Sequence, residues 1–344
     1  MKKFILTLDG GGVRGIVSAR ILHSLEVKLQ KLFNDPTYRV RNHFSLISGT
    51  STGGILSLLM SSLDFNMQRI LQIYMEECSK IFQSSFIRRN IGILFHAKYC
   101  SKNFEHAAIR LFGNKKLSDC YNNCLIPSYD IHSCNPIFFT RDNAHKYDYY
   151  LKDIAIATSS APTYFPPKKV YECNGAIAYE CIDGGIFANN PSLCALIEAS
   201  KMFPTCSLKD YVVVSLGTGM NDKVDMSSKF EKASKWGSIS WILPLIDTML
   251  NSNADLSHYQ VQKIFESHHL NINPLNLSMD CNYYRFQPIF NMLKYSNLDL
   301  SLDNIDPFNM QQLLEATEDY IGEKGIQKAL NRLAEDIFTN DSRK

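Results

Sequence analysis

Phe44-Ser45-Leu46-Ile47-Ser48-Gly49-Thr50-Ser51-Thr52-Gly53 decides the fold. Phe44 to Ser48 is an apolar run long enough for a buried strand and too short for a helix. Gly49 then turns the chain, and the residues after it predict a helix from Thr52 to about Leu63. Gly49-Thr50-Ser51-Thr52-Gly53 matches G-x-S-x-G in the setting that motif needs, with a strand before it and a helix after it. In such an elbow the serine occupies a strained turn, and small residues at Gly49 and Gly53 let strand and helix approach. The N-terminus of the helix adds N–H groups and a positive dipole end near any developing anion. Glycine and serine are common, so a small-residue turn without chemistry fits the same five letters.

Working outward, Phe4 to Leu8 predicts another short buried strand, ended by Asp9 and three glycines. Helical apolar spacing runs from Ile16 to Leu32, and Asn34-Asp35-Pro36 stops it. Strand, turn and helix in that order, twice in about sixty residues, predict an α/β architecture with a largely parallel sheet. Residues 65 to 113 read as mostly helical, and strand-like runs return at Cys124–Ile131 and Pro136–Thr140. Asp153–Thr158 leads into a proline-bearing segment, Ala161 to Pro167. After Ile182-Asp183-Gly184-Gly185 a helix is expected from Ser192 to Met202, then a strand at Tyr211–Leu216 and a helical tail from Pro307 to Phe338. There is no internal repeat, low-complexity tract or linker, so residues 1 to 344 are expected to form one domain.

Hydrophobic residues at 45% and charged residues at 20% exclude disorder and fibre. With 36 basic residues against 34 acidic, the net charge of +2 is too balanced for a protein that neutralises a nucleic-acid backbone. The basic pairs Arg88–Arg89, Lys115–Lys116 and Lys168–Lys169 read as solvated surface before lipid-headgroup patches. Ten cysteines are too sparse for a disulfide scaffold, and Cys120-x3-Cys124 has no second pair to complete a zinc site. Reduced thiols, an apolar run after Lys2-Lys3 too short for a signal peptide, and no stretch near the roughly 18 apolar residues of a spanning helix predict a cytoplasmic protein.

Two further motifs carry chemistry. In Asp9-Gly10-Gly11-Gly12-Val13-Arg14-Gly15, consecutive glycines let backbone N–H groups converge on one spot, as a tetrahedral oxyanion requires. Gly10, Gly12 and Gly15 also satisfy G-x-G-x-x-G between a strand and a helix, so dinucleotide binding is the rival reading. That rival expects an acidic residue at a strand end about twenty residues on. Asp35 has the spacing but lies in an Asn-Asp-Pro turn, and Gly49–Gly53 is left unexplained. Asp183, at the end of an apolar strand and facing Gly184-Gly185, could take a serine proton directly or merely cap the turn before Pro191.

The glycine loop after the first strand, G-T-S-T-G some forty residues later, and D-G-G at Asp183 together resemble the patatin-like phospholipase family, of its bacterial type. Ala155–Pro167 (A-I-A-T-S-S-A-P-T-Y-F-P-P), Asp183–Pro191 (D-G-G-I-F-A-N-N-P) and Val213–Gly219 (V-V-S-L-G-T-G) are similar to the family's segments as well. The likeness covers a motif-bearing core of residues 4 to 218; the part from 219 to 344 is helical and lid-like. The resemblance implies a three-layer α/β/α fold with a mostly parallel central sheet, and a lipid acyl hydrolase of the phospholipase A or lysophospholipase type working through an acyl-enzyme. It implies Ser51 as nucleophile and Asp183 as base, with Gly10, Gly11 and Gly12 as the oxyanion loop. Arg14, Gly49, Gly53, Gly184 and Gly185 would support them. No cofactor or metal is implied. The expected partners are a phospholipid or lysophospholipid substrate and a peripheral membrane contact, with no nucleic-acid polymer; an activating partner or a cyclic nucleotide stays open. A scaffold that keeps the fold without activity is disfavoured because all three motifs are intact.

An aspartate with a pKa near 3.9 is a poor base for a serine hydroxyl. Burial beside Ile182 and Ile186 would raise its basicity. A Ser–Asp–His triad would need His258, His268 or His269, none of which sits in a short glycine-flanked loop after a strand. Ser240–Leu250 is apolar, with Trp236 and Trp241 nearby, and reads as a buried helix or as a lid facing lipid. Tyr283–Gln287 resembles a late strand of bacterial members, with a core strand as its plain reading.

Overall fold

The computed structural model describes residues 1–82, 97–222, 233–276 and 278–341. Among the described residues ten strands form: β1 (Lys3–Leu8), β2 (Phe44–Gly49), β3 (Asn123–Asp130), β4 (Asn135–Thr140), β5 (Lys168–Tyr171), β6 (Ile177–Asp183), β7 (Tyr211–Leu216), β8 (Met220–Asn221), β9 (Tyr283–Phe286) and β10 (Ile289–Phe290). The main sheet has the order β5-β6-β3-β2-β1-β7-β9, with β4 paired to β3 off that path; β8 and β10 pair separately. β3, β2, β1, β7 and β9 run parallel. β4 and β6 pair antiparallel with β3, and β5 with β6, so the mixed flank is the one that carries Asp183.

The helices are α1 (Gly15–Phe33), α2 (Thr52–Ser62), α3 (Met67–Ile81), α4 (Ser101–Phe112), α5 (Leu151–Thr158), α6 (Gly185–Ala188), α7 (Ser192–Met202), α8 (Ser238–Ser267), α9 (Pro307–Gly322) and α10 (Lys324–Asp341). Successive strand residues point to opposite faces, and the core divides accordingly. Phe4, Leu6 and Leu8 of β1 pack with Ile16 and Leu22 of α1, Leu59 of α2 and Leu330 of α10. Ile5 of β1 and Val213 of β7 pack on the other side with Ala195 and Ala199 of α7 and Val261 and Phe265 of α8. The result is three layers, helices on both faces of a sheet whose central strands are buried on both sides.

Local chemistry sets the helix ends. α1 stops where Asn34 turns left-handed at φ 50°, its N–H bonding the carbonyls of Gln30 and Lys31. Asp306 caps α9 by accepting the N–H groups of Phe308 and Asn309, with Pro307 in the first turn. The helical tail is two helices, broken where Glu323 becomes extended. Asp153–Thr158, unassigned by periodicity, belongs to α5. Residues 83–96 of the expected helical stretch, including Arg88–Arg89, lie outside the described residues. Lys168 is not simply solvated: it pairs with Asp153 at 2.8 Å.

Strand β1 and helix α2 meet at Gly53, where an added Cβ would lie 2.3 Å from the Leu8 carbonyl oxygen. Backbone on both sides leaves no soft atom to yield. Gly53→Ala is therefore expected to lower stability by about 2 kcal/mol, measured as a reduced urea midpoint at unchanged slope. A wild-type midpoint would show that the strand and helix can separate without cost.

Candidate active site

Ser51 sits between β2 and α2 with φ 53° and ψ −123°, a conformation that costs a non-glycine residue on the order of 1–3 kcal/mol. Its surroundings hold it there. The Ser51 N–H donates to Thr158 Oγ1 at 3.0 Å, and that hydroxyl donates to the Pro127 carbonyl at 2.6 Å. Thr50 donates its N–H to the Leu8 carbonyl at 3.2 Å and its hydroxyl to the Ala188 carbonyl at 2.5 Å. A Cβ on Gly49 would lie 2.1 Å from the Gly53 carbonyl oxygen, so the two glycines of the motif serve successive close approaches, Gly49 to α2 and Gly53 to β1.

Asp183 ends β6, and the structure brings its carboxylate beside Ser51, near enough for the Ser51 side chain to act on its proton affinity. Oδ1 also accepts the Gly185 N–H at 2.7 Å, and Gly184 lies against the Pro127 carbonyl. The residue is only 4% exposed. Burial pushes its carboxyl up to about 7, against the nearby Ser51 hydroxyl and the Gly185 N–H, which pull it down. That is the direction expected from its apolar neighbours, and it places the group where a carboxylate can exchange a proton near neutrality.

The glycine loop is fastened by its carbonyls. Thr218 Oγ1 donates to the Gly10 oxygen at 3.3 Å, Arg14 Nε to the Gly11 oxygen at 3.3 Å, and the Tyr74 hydroxyl to the Gly12 oxygen. Tyr74 also bonds Thr52 Oγ1, tying the loop to the first turn of α2. Arg14 is buried and reaches the Gly219 carbonyl at 3.2 Å. Gly12 has φ +59°, and a Cβ there would lie 2.0 Å from the Leu302 carbonyl oxygen, which accepts the Val13 N–H at 2.8 Å. Below the loop, Asp9 is gripped by Arg285 at 3.0 and 2.6 Å; burial pushes the Asp9 carboxyl up and the guanidinium opposes this.

Among the three expected oxyanion donors the structure makes a distinction. The Gly10 N–H is already bonded to the Asn189 carbonyl at 3.0 Å, so Gly10 anchors the loop. No protein acceptor among the described residues takes the N–H groups of Gly11 and Gly12, which line the cleft with Ser51 and Asp183. The cleft continues between α3 and α4 along apolar side chains such as Ile81, Phe104 and Phe112. Thr158 and Thr218 lie in the quoted family-like segments without a role legible there, whereas Tyr74 and Leu302 carried no motif and only the assembled fold brings them in.

Among the described residues no histidine lines the cleft. His258 bonds the Tyr283 hydroxyl at 2.9 Å, and His268 bonds the Ile264 carbonyl at 2.9 Å. Asp35 accepts the N–H and hydroxyl of Thr37 at 2.8 and 2.7 Å, closing its own turn, which removes the acidic partner that dinucleotide binding would need. Among the described residues no group of three or more His, Cys, Asp or Glu side chains is placed to hold a metal ion.

An α/β fold with a strained serine at a strand–helix elbow, beside a buried aspartate and a glycine loop, defines a class of acyl hydrolases. The Patatin-like phospholipase family profile matches residues 6–196. Patatin-like protein 4 of Arabidopsis thaliana is 30% identical over 97% of this chain and 86% of its own length. Patatin-like protein 2 of the same plant is 34% identical over 80% of this chain and 75% of its own. Patatin-2-Kuras 3 of Solanum tuberosum is 29% identical over 95% and 84%. The chain belongs to the patatin-like phospholipase family, which supports lipid acyl hydrolysis as its general activity. These relatives are plant proteins, so they give no support to a bacterial subdivision.

The raised Asp183 carboxyl has a consequence for stability. The folded protein holds this proton up to about pH 7, whereas an unfolded chain releases it near 3.8. Stability from this group is thus complete below pH 3.8 and is lost as pH rises through 7. Asp183→Asn, neutral at every pH, is expected to be more stable than the parent at pH 8 by a few kcal/mol, at about 1.4 kcal/mol per pKa unit. The gain should shrink toward pH 4, as read from urea unfolding across pH. A gain independent of pH would show that Asp183 titrates normally.

Proposed function

We propose that this chain hydrolyses carboxylic esters of phospholipids or lysophospholipids, with Ser51 as nucleophile and Asp183 as general base. The observation that carries this reading is a buried Asp183 carboxyl beside Ser51 in one cleft with apolar walls. Ser51 Oγ bonds to the ester carbonyl carbon as its proton passes to Asp183. The carbonyl electron pair moves onto oxygen, facing the Gly11 and Gly12 N–H groups. Collapse breaks the carbon–oxygen bond to the lipid alcohol, which leaves with the proton from Asp183. Water then attacks the acyl group on Ser51, Asp183 takes and returns one proton, and the fatty acid departs. Ile81, Phe104 and Phe112 offer the acyl chain an apolar path away from Ser51.

A peripheral lipid contact belongs to the same reading. On α8, Ile246 and Leu250 line the cleft, while Trp241, Ile242, Leu245 and Met249 are exposed on the same helix. An amphipathic helix of this kind lies in a bilayer surface, with Trp favouring the interface. No helix among the described residues is long and apolar enough to cross a membrane. All ten cysteines are free, which fits a reducing compartment such as the cytoplasm.

Ser51→Ala and Asp183→Asn are each expected to lose orders of magnitude in kcat on a nitrophenyl ester, and the double variant to lose scarcely more than either. His258→Ala, His268→Ala and His269→Ala should keep most activity. In the parent, kcat/KM should rise with pH to a plateau, with a midpoint near the pH of about 7 at which Asp183 loses its proton. A histidine variant as inactive as Ser51→Ala, with circular dichroism unchanged, would replace the dyad by a triad.

The helix contact is tested separately. Replacing Trp241 and Ile242 together with Ser should reduce hydrolysis of lipid vesicles several-fold more than hydrolysis of a soluble ester. Equal losses on both substrates would mean that these side chains serve the fold and not the lipid surface.

A further inference from the structure

We propose that Asn189 is a further catalytic residue, whose side-chain amide donates an N–H to the oxyanion formed on the substrate carbonyl. The inference rests on Ser51 being the nucleophile. Asn189 follows α6, and both of its backbone polar groups are committed: the N–H donates to Asn253 Oδ1 at 3.2 Å and the carbonyl accepts the Gly10 N–H at 3.0 Å. The residue is 4% exposed, its Oδ1 is buried with no hydrogen-bond partner, and the amide nitrogen bonds no protein group among the described residues. Asn190 shows the contrast. Its Nδ2 donates to the Ala254 carbonyl at 3.3 Å, and its Oδ1 accepts the N–H and hydroxyl of Ser192 at 3.0 and 2.5 Å. In Asn189-Asn190-Pro191, one asparagine holds the turn and the other is left uncommitted.

The uncommitted amide lies beside both reacting side chains. A Cβ built on Gly10 would sit 2.3 Å from Asn189 Oδ1 and 3.3 Å from Ser51 Cβ. One built on Gly185 would sit 3.0 Å from Asp183 Oδ1 and 3.2 Å from Asn189 Oδ1. Asn189 also lines the cleft together with Gly11, Gly12, Ser51 and Asp183. A half-turn of the amide exchanges its oxygen and nitrogen and breaks no bond, because neither end has one. A buried amide oxygen without a partner is costly, and such groups are rare outside functional sites. The cost is recovered when charge develops on the carbonyl oxygen, where a donor fixed in advance acts without reorganisation. With Gly10 spent on anchoring, Asn189 supplies a third donor beside Gly11 and Gly12.

The test is steady-state kinetics of Asn189→Leu, similar in volume but without a donor, on a soluble nitrophenyl ester. kcat is expected to fall by about 10²–10³ with KM within about threefold. The pH midpoint should stay at the parent's value, and phosphonylation of Ser51 by a fluorophosphonate should slow by a similar factor. A kcat within threefold of the parent, or a loss that vanishes at high pH because the midpoint has moved, would overturn the role. Asn189→Ala provides the same reading if the Leu variant fails to fold. Parent activity that equals that of Ser51→Ala would overturn the Ser51 assignment and this inference together; Ser51-dependent activity that stays within threefold of the parent in Asn189→Leu would overturn the inference alone.

Discussion

Thr50 holds the site together. Fully buried, it donates its N–H to the end of β1 and its hydroxyl to the Ala188 carbonyl, 138 positions away in the chain. The Gly10 N–H closes the triangle on the Asn189 carbonyl. Three loops that each look like an ordinary glycine turn thus become one backbone unit. Catalytic geometry tolerates little slack, since a displacement of about 1 Å can cost 10²-fold in rate. Placing the constraint in main-chain hydrogen bonds and in the Gly49–Gly53 contact keeps Ser51, Asp183 and the glycine loop in register without a long, mobile side chain.

The same burial that fixes the geometry tunes the chemistry. A solvent-exposed aspartate would be too acidic to serve Ser51; taken out of water, Asp183 gains basicity until it titrates at about 7. The protein gives up folding free energy for that shift whenever the carboxylate is charged, as it does for the strained φ at Ser51. The glycine loop solves the opposite problem. Its carbonyls are tied back by Thr218, Arg14 and Tyr74, which leaves N–H groups facing the cleft, where charge would otherwise be unsupported.

Much of the fold was legible because its signals are local. The expected strand at Tyr211–Leu216 and helix at Ser192–Met202 match the structure residue for residue, bounded by turn residues on either side. Asp153–Thr158 resisted assignment because a short apolar run has no period to distinguish strand from helix. The three motif serine, aspartate and glycine positions were readable, and the structure gathers them in one cleft. Their supports were not. Arg285 meets Asp9 across 276 positions, and Tyr74 meets Gly12 across 62, with no spacing rule to announce either. Asn189 was visible as a letter in a familiar segment, but its uncommitted amide could be seen only beside the satisfied Asn190.

The central claim is that Ser51 forms the covalent acyl intermediate. The most direct measurement is to label the purified protein with a fluorophosphonate that follows the path of the ester but cannot be released, then locate the adduct by peptide mass spectrometry. The account predicts a single phosphonyl group on the peptide containing Ser51, with ester hydrolysis lost in proportion to labelling. Complete loss of activity with the label on another residue and Ser51 unmodified would contradict it.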